Sequence, residues 1–240
     1  MKTRPPPRSI RPGLERIGPD RGPPRHQHGE AYATLILEGR YEQAAYAGRI
    51  VAEPGCVLLQ PTLDCHANRM LGRGAVIVRL AWRREASLGG LFRIAGFDDI
   101  RRIAERDPTE ASEGLAEAMA GAASAGVAMQ DWQDELVGAL HSDPRLRLGT
   151  WAQRMGLARE TVSRGFVRAY GVGPARFRAE LQARAAFLRI TEGAVPLAQI
   201  ASELGFADQP HMTRAIGWLT GSTPAAWRAR SRRFKTQAAA

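Results

Sequence analysis

The carboxy-terminal hundred residues repeat themselves at an offset of about fifty positions, and this repeat constrains the fold more than any other feature. One copy carries Leu148, Ala152, Gly156, Ser163-Arg164, Gly171, Pro174-Ala175 and Phe177-Arg178. The other carries Leu197, Ala201, Gly205, Thr213-Arg214, Gly221, Pro224-Ala225 and Trp227-Arg228. In each copy a small alanine lets two helices approach closely, and a glycine four residues later can take the positive φ of a tight interhelical turn. The pattern predicts two helix-turn-helix units. After the first turn Val162, Phe166 and Tyr170 share one helical face, while Glu160, Arg164 and Arg168 share another with Ser163 beside them. After the second, Asp208 can cap a helix with Pro210 in its first turn, where a missing amide costs nothing. Met212, Ile216 and Leu219 then form its buried side, leaving Gln209, His211, Thr213 and Arg214 facing outward. Between the copies Pro174 opens a long helix with an apolar stripe of Phe177, Leu181, Ala185 and Leu188, ending near Gly193.

Charge divides the chain at the same place. The net charge is +10. Residues 1–142 hold 18 basic and 18 acidic side chains, whereas residues 143–240 hold 16 basic and 6 acidic ones. A neutral module is thus followed by one suited to a polyanion, with a solvated basic surface as the plainer alternative. Cys56 and Cys65 are too few for a disulfide framework and lack the spacing of a redox or zinc motif, which fits a reducing, cytoplasmic setting. No apolar stretch is long enough for a signal-peptide core or a membrane span, so no membrane partner is expected.

Residues 1–25 contain seven prolines and are expected to be a disordered leader. Between Ala31 and Leu80, short apolar runs are punctuated by Glu38-Gly39, Gly48 and Pro54-Gly55, which predicts a small antiparallel sandwich or barrel. Helical periodicity follows over Phe97–Arg106, Thr109–Ala120 and Met129–His141, with Pro108 and Pro144 as breaks and Thr109 as a helix start. The expected class is α+β. A disordered leader (1–25) precedes a sensor or dimerisation domain (26–142), a small β-barrel with following helices. Residues 143–240 form an all-α domain of two helix-turn-helix units joined by a long helix.

The segment from Gln199 to Gln209, with His211-Met-Thr-Arg214 and Gly221-Ser-Thr-Pro224, resembles the second-unit signature of the AraC family of bacterial transcription regulators. The resemblance spans roughly Leu146 to Arg232. Departures are Ala158 in place of a capping serine, Pro210 in place of a small polar residue, and Gly217-Trp218 in place of a basic or polar pair. It implies a regulator, not an enzyme, that binds double-stranded promoter DNA in a sequence-specific way through two recognition helices. These would enter successive major-groove segments about 34 Å apart. It assigns base contacts to Glu160, Ser163, Arg164, Gln209, His211, Thr213 and Arg214, and phosphate contacts to Arg159, Arg168 and Arg176. A homodimer, a small-molecule effector and contact with RNA polymerase are further implied partners.

Over about Arg25 to Leu80, His26-Gln-His28, Leu37-Glu-Gly39, Pro54-Gly55 and His66 resemble the cupin-like sensor domain of many family members. The resemblance implies an effector or divalent-metal site at His26, His28 and His66, with Cys65 or Glu30 as further candidates, or else ordinary barrel-mouth histidines without a cofactor. It also defines the rival reading, a metal-dependent cupin enzyme fused to a DNA-binding domain.

Overall fold

The computed structural model describes residues 7–19, 24–83, 89–125 and 131–238. They divide into two compact units, one of residues 7–137 with 168–171, the other of residues 138–167 with those from 172 onward. The division falls inside a helix, a few residues ahead of the boundary expected between 142 and 143.

The first unit is built on one antiparallel sheet of seven strands: β1 (Gly13–Ile17), β2 (Tyr32–Ala45), β3 (Gly48–Ala52), β4 (Val57–Gln60), β5 (Ala67–Ala81), β6 (Gly90–Arg93) and β7 (Ala123–Ser124). Their order is β1-β5-β2-β4-β6-β7, with β3 also on β2. The long strands β2 and β5 form its spine. The start of β2 pairs with β4 and its end with β3, while β5 follows it along the other edge. Register slips on either side of Glu38-Gly39, and such irregularities bend a strand and raise its twist. A Cβ on Gly39 would collide with the Gly74 carbonyl, so the close crossing of the two strands needs glycine here.

Helices α1 (Phe97–Ala104) and α2 (Pro108–Ala118) lay Ile100, Ala104, Ala111 and Leu115 on Ala33, Leu35, Val57, Val78 and Leu80 of the sheet. Ile36, Leu58 and Ile77 fill the opposite face. Both faces are therefore covered, which is why the strands read as apolar runs. The buried guanidinium of Arg49 is 2.7 Å from both Asp131 and Asp134, the latter at the start of α3 (Trp132–Ser142). Removing either partner of such a pair is costly.

Two expectations are corrected here. Residues 13–17 of the supposed leader form β1, paired with Ala75–Arg79 of β5, because pairing to an existing strand edge outweighs the proline content around it. Residues 1–6 and 20–23 of that leader lie outside the described residues, as does Met129. Helix α2 starts one residue before Thr109: Asp107 caps it by accepting from the Thr109 and Glu110 amides, and Pro108 takes the first helical position.

The second unit contains α4 (Leu148–Arg154), α5 (Arg159–Tyr170, of which residues 168–170 are grouped with the first unit), α6 (Pro174–Glu192), α7 (Leu197–Glu203), α8 (Gln209–Thr220) and α9 (Pro224–Ala238). Gly156 and Gly205 hold φ of 65° and 75° in the turns α4–α5 and α7–α8, as the repeat requires. Val162, Phe166 and Tyr170 are buried on α5, and Met212, Ile216 and Leu219 on α8. The first half of α6 meets the first helix-turn-helix, where Phe177 stands edge-on to Phe166. Its second half meets the other, where Ala186 and Ile190 join Ile200, Ala201, Met212 and Ile216. The Gln182 amide donates to the Pro144 carbonyl at 2.9 Å and the Leu204 carbonyl at 3.1 Å, tying the approaches to both units to one side chain. No helix among the described residues is long and apolar enough to cross a membrane.

Because this unit has its own core, residues 143–240 alone are expected to give a helical circular-dichroism spectrum and a cooperative urea transition. Ile216→Ala should lower the stability of that fragment by about 2–5 kcal/mol. A broad transition insensitive to Ile216→Ala would contradict an independent core.

Candidate functional site

Helix α5 turns Glu160, Ser163, Arg164 and Arg168 outward, all exposed, opposite Val162, Phe166 and Tyr170. On α8 Gln209, His211 and Arg214 are exposed and Thr213 is half-buried. Arg164 and Arg214 occupy equivalent steps of their helices, fifty residues apart, each one position after a hydroxyl residue. A guanidinium presented in this way can reach guanine O6 and N7 in a major groove.

Three residues have local partners that narrow their roles. The His211 imidazole stands edge-on to Phe206 at 5.3 Å and its Nδ1 accepts from the Ala207 amide at 3.4 Å. Its backbone amide donates to the capping Asp208 carboxylate at 2.6 Å, so His211 helps to set the entry of α8. Arg159 lies against Gly149 of α4. The Arg176 guanidinium sits 3.4 Å above the Trp218 ring and 3.2 Å from Glu180 Oε1. Its charge is thus partly compensated within the fold, while Arg168 stays exposed. Trp218, one of the departures from the family pattern, is the platform for Arg176. No local spacing in the sequence joins these two residues, which lie 42 positions apart.

In the first unit the strand-like bridge between His26 and His66 brings the three expected histidines together. One ring nitrogen from each of His26, His28 and His66 lies within 4.8 Å of the others. His26 Nδ1 is 3.0 Å from the Pro24 carbonyl and His66 Nδ1 is 3.2 Å from the Asp64 carbonyl. A carbonyl only accepts, so each Nδ1 carries a proton, and a ring in its neutral form keeps its lone pair on Nε2. Those Nε2 atoms face inward: that of His26 is 3.1 Å from His28 Nε2, and that of His66 is 3.4 Å from the Tyr32 hydroxyl. His28 Nδ1 is buried with no hydrogen-bond partner among the described residues. Burial, reinforced by the neighbouring His26, lowers the His28 pKa from 6.5 to about 4, and the same causes hold His66 well below its ordinary value. The donor set therefore fits a borderline divalent cation such as zinc. Cys65 and Glu30 do not join it: the Cys65 thiol donates to Gln27 Oε1 at 3.3 Å, and Glu30 is exposed. Tyr32, whose hydroxyl lies 3.4 Å from His66 Nε2, was not signalled by the sequence pattern. A cavity of about 530 Å³ opens beside His26 and His28, with Arg8, Glu15, Asn68 and Arg79 among its walls.

A family model described as a helix-turn-helix domain matches residues 151–230, which takes in both units and α6 between them. These residues are an AraC-type helix-turn-helix domain. No curated protein matches the sequence. Among solved structures, unsaturated fatty acid-bound ToxT from Vibrio cholerae is similar at 12% identity over 90% of this chain and 91% of that one, with a TM-score of 0.41. The C-terminal domain of the two-component response regulator YesN from Fusobacterium nucleatum is similar at 16% identity over 40% of this chain and 97% of that one, with a TM-score of 0.38. The AraC-type domain, with its exposed arginines and inward apolar faces, makes the chain a DNA-binding transcription regulator.

Two predictions follow from this geometry. Arg164→Ala and Arg214→Ala should each weaken specific binding by about 1–3 kcal/mol and relax the preference at one base pair. Arg168→Ala should weaken binding to all sequences and flatten the salt dependence. Titrations on specific and random duplexes at several salt concentrations check both, and an equal loss on the two duplexes for Arg164→Ala would remove it from base reading. The second concerns the histidines in metal-free protein. The unfolded chain takes up a proton on His28 and on His66 near about 6.5, while the fold resists it at these two, for His28 down to about 4. Stability present at pH 7 is therefore lost as pH falls through that window, by up to about 1.4 kcal/mol per pH unit for each histidine. Urea titrations from pH 7 to 4.5 should show a shallower loss for His28→Gln than for the unsubstituted chain, and equal slopes would contradict the burial effect.

Proposed function

We propose that the chain is a sequence-specific, effector-responsive regulator whose α5 and α8 enter successive major-groove segments of a promoter. The observation that carries this is the placement of Arg164 and Arg214 at equivalent exposed positions on two helices anchored to the single helix α6. A helix of 19 residues is about 28 Å long, which suits two recognition helices meeting one face of a duplex. Selection from a random duplex library followed by footprinting tests it. The expected result is an enriched site with two protected segments about one helical turn apart. Failure to enrich any sequence would overturn sequence-specific binding.

The effector reading rests on the three inward-facing Nε2 atoms. When bound, a divalent cation would be held by His26, His28 and His66, with carbonyls of Pro24 and Asp64 orienting two of the rings. Among the described residues no carboxylate joins the three histidines. Zinc or nickel added to metal-free protein at pH 7.5 should raise its melting temperature, and His66→Gln should abolish the rise. An unchanged melting temperature with both metals would make these histidines scaffold residues.

A further inference from the structure

The outward line of α5 contains one residue whose chemistry differs from the rest. Val167 is 45% exposed, one of two large hydrophobic side chains left exposed among the described residues, and the other, Leu14, lies on β1. At 3.6 residues per turn, Val167 lies nearly above Glu160 two turns on, and one turn beyond both Ser163 and Arg164. It is therefore a member of the exposed stripe and not of the apolar face, whose residues Val162, Phe166 and Tyr170 are buried. A β-branched side chain here gains nothing for the core and lowers helix propensity slightly. The major groove offers one apolar group for it to meet, the C5-methyl of thymine.

We infer that Val167 is a specificity-determining residue that packs on a thymine methyl next to the base read by Arg164. This rests on the proposed role of α5 as a base-reading helix. Val167 is about 4.5 Å along the helix axis from Arg164, so the thymine falls one or two base pairs from the position that Arg164 reads. The repeat supplies an internal contrast. Position 217, equivalent to 167 on α8, is Gly217, and positions 160 and 210 are Glu160 and Pro210. The second unit thus keeps the arginine of the first without its apolar contact, and thymine-methyl discrimination by this position belongs to one half of the site alone.

The test uses the full chain and a site enriched from a random duplex library. The base pair read by Arg164 is located first, as the one whose preference relaxes in Arg164→Ala. Each thymine of the site is then replaced singly by deoxyuridine, which removes the methyl and keeps base pairing. At one thymine within one or two base pairs of the Arg164 position, the replacement should weaken binding about fourfold, the effect of uncovering roughly one methyl group. Val167→Ala should bind the thymine and deoxyuridine sites equally there, with an unchanged salt dependence and an unchanged helical spectrum. A site with no thymine in that segment, or a deoxyuridine effect that persists in Val167→Ala, overturns the assignment while leaving base reading by α5 intact. Failure to enrich any site overturns both.

Discussion

Everything that the AraC-type domain can do on DNA depends on α6. A helix is stiff over 19 residues, and here its two halves supply the core contacts of two different helix-turn-helix units. Phe177 and Phe166 lock one end, and Ala186 and Ile190 complete the other. Gln182 sits between them and satisfies carbonyls from both approaches, so movement of either helix-turn-helix along α6 would break a half-buried polar contact. Each is held because α6 carries the complement of both.

Much of this was legible because the signals are local and repeated. Alanine, turn glycine and apolar triplets recur in register, and the buried residues of α5 and α8 are those that helical spacing selects. Asp208 and Pro210 mark the start of α8 as capping chemistry predicts. What was hidden depends on partners distant in sequence. Strand β1 exists because β5 offers it an edge, and no composition of residues 13–17 reveals that. The stacking of Arg176 on Trp218 and the bridging by Gln182 join elements far apart along the chain. At the start of α2 a competition between two caps, Asp107 and Thr109, was settled by the carboxylate reaching two amides with proline already in helical geometry.

The histidine cluster shows both sides of that limit. Three histidines from two segments could be named from the sequence, and the bridge between His26 and His66 brings them together. Their chemistry comes from the backbone. The carbonyls of Pro24 and Asp64 fix where the ring protons sit, and burial keeps His28 and His66 neutral. Cys65, adjacent in sequence to His66, turns instead to Gln27, because alternate residues of an extended segment face opposite ways.

The two recognition helices are copies that have diverged. They agree at Arg164 and Arg214 and differ at Glu160 against Pro210 and at Val167 against Gly217. A palindromic dimer reads a duplex identically from either end. One chain carrying two unlike readers on a common spine has a head and a tail, and the same site inverted is, to it, a different sequence. If both helices read bases as proposed, the order of its two helices along α6 gives the bound duplex a direction.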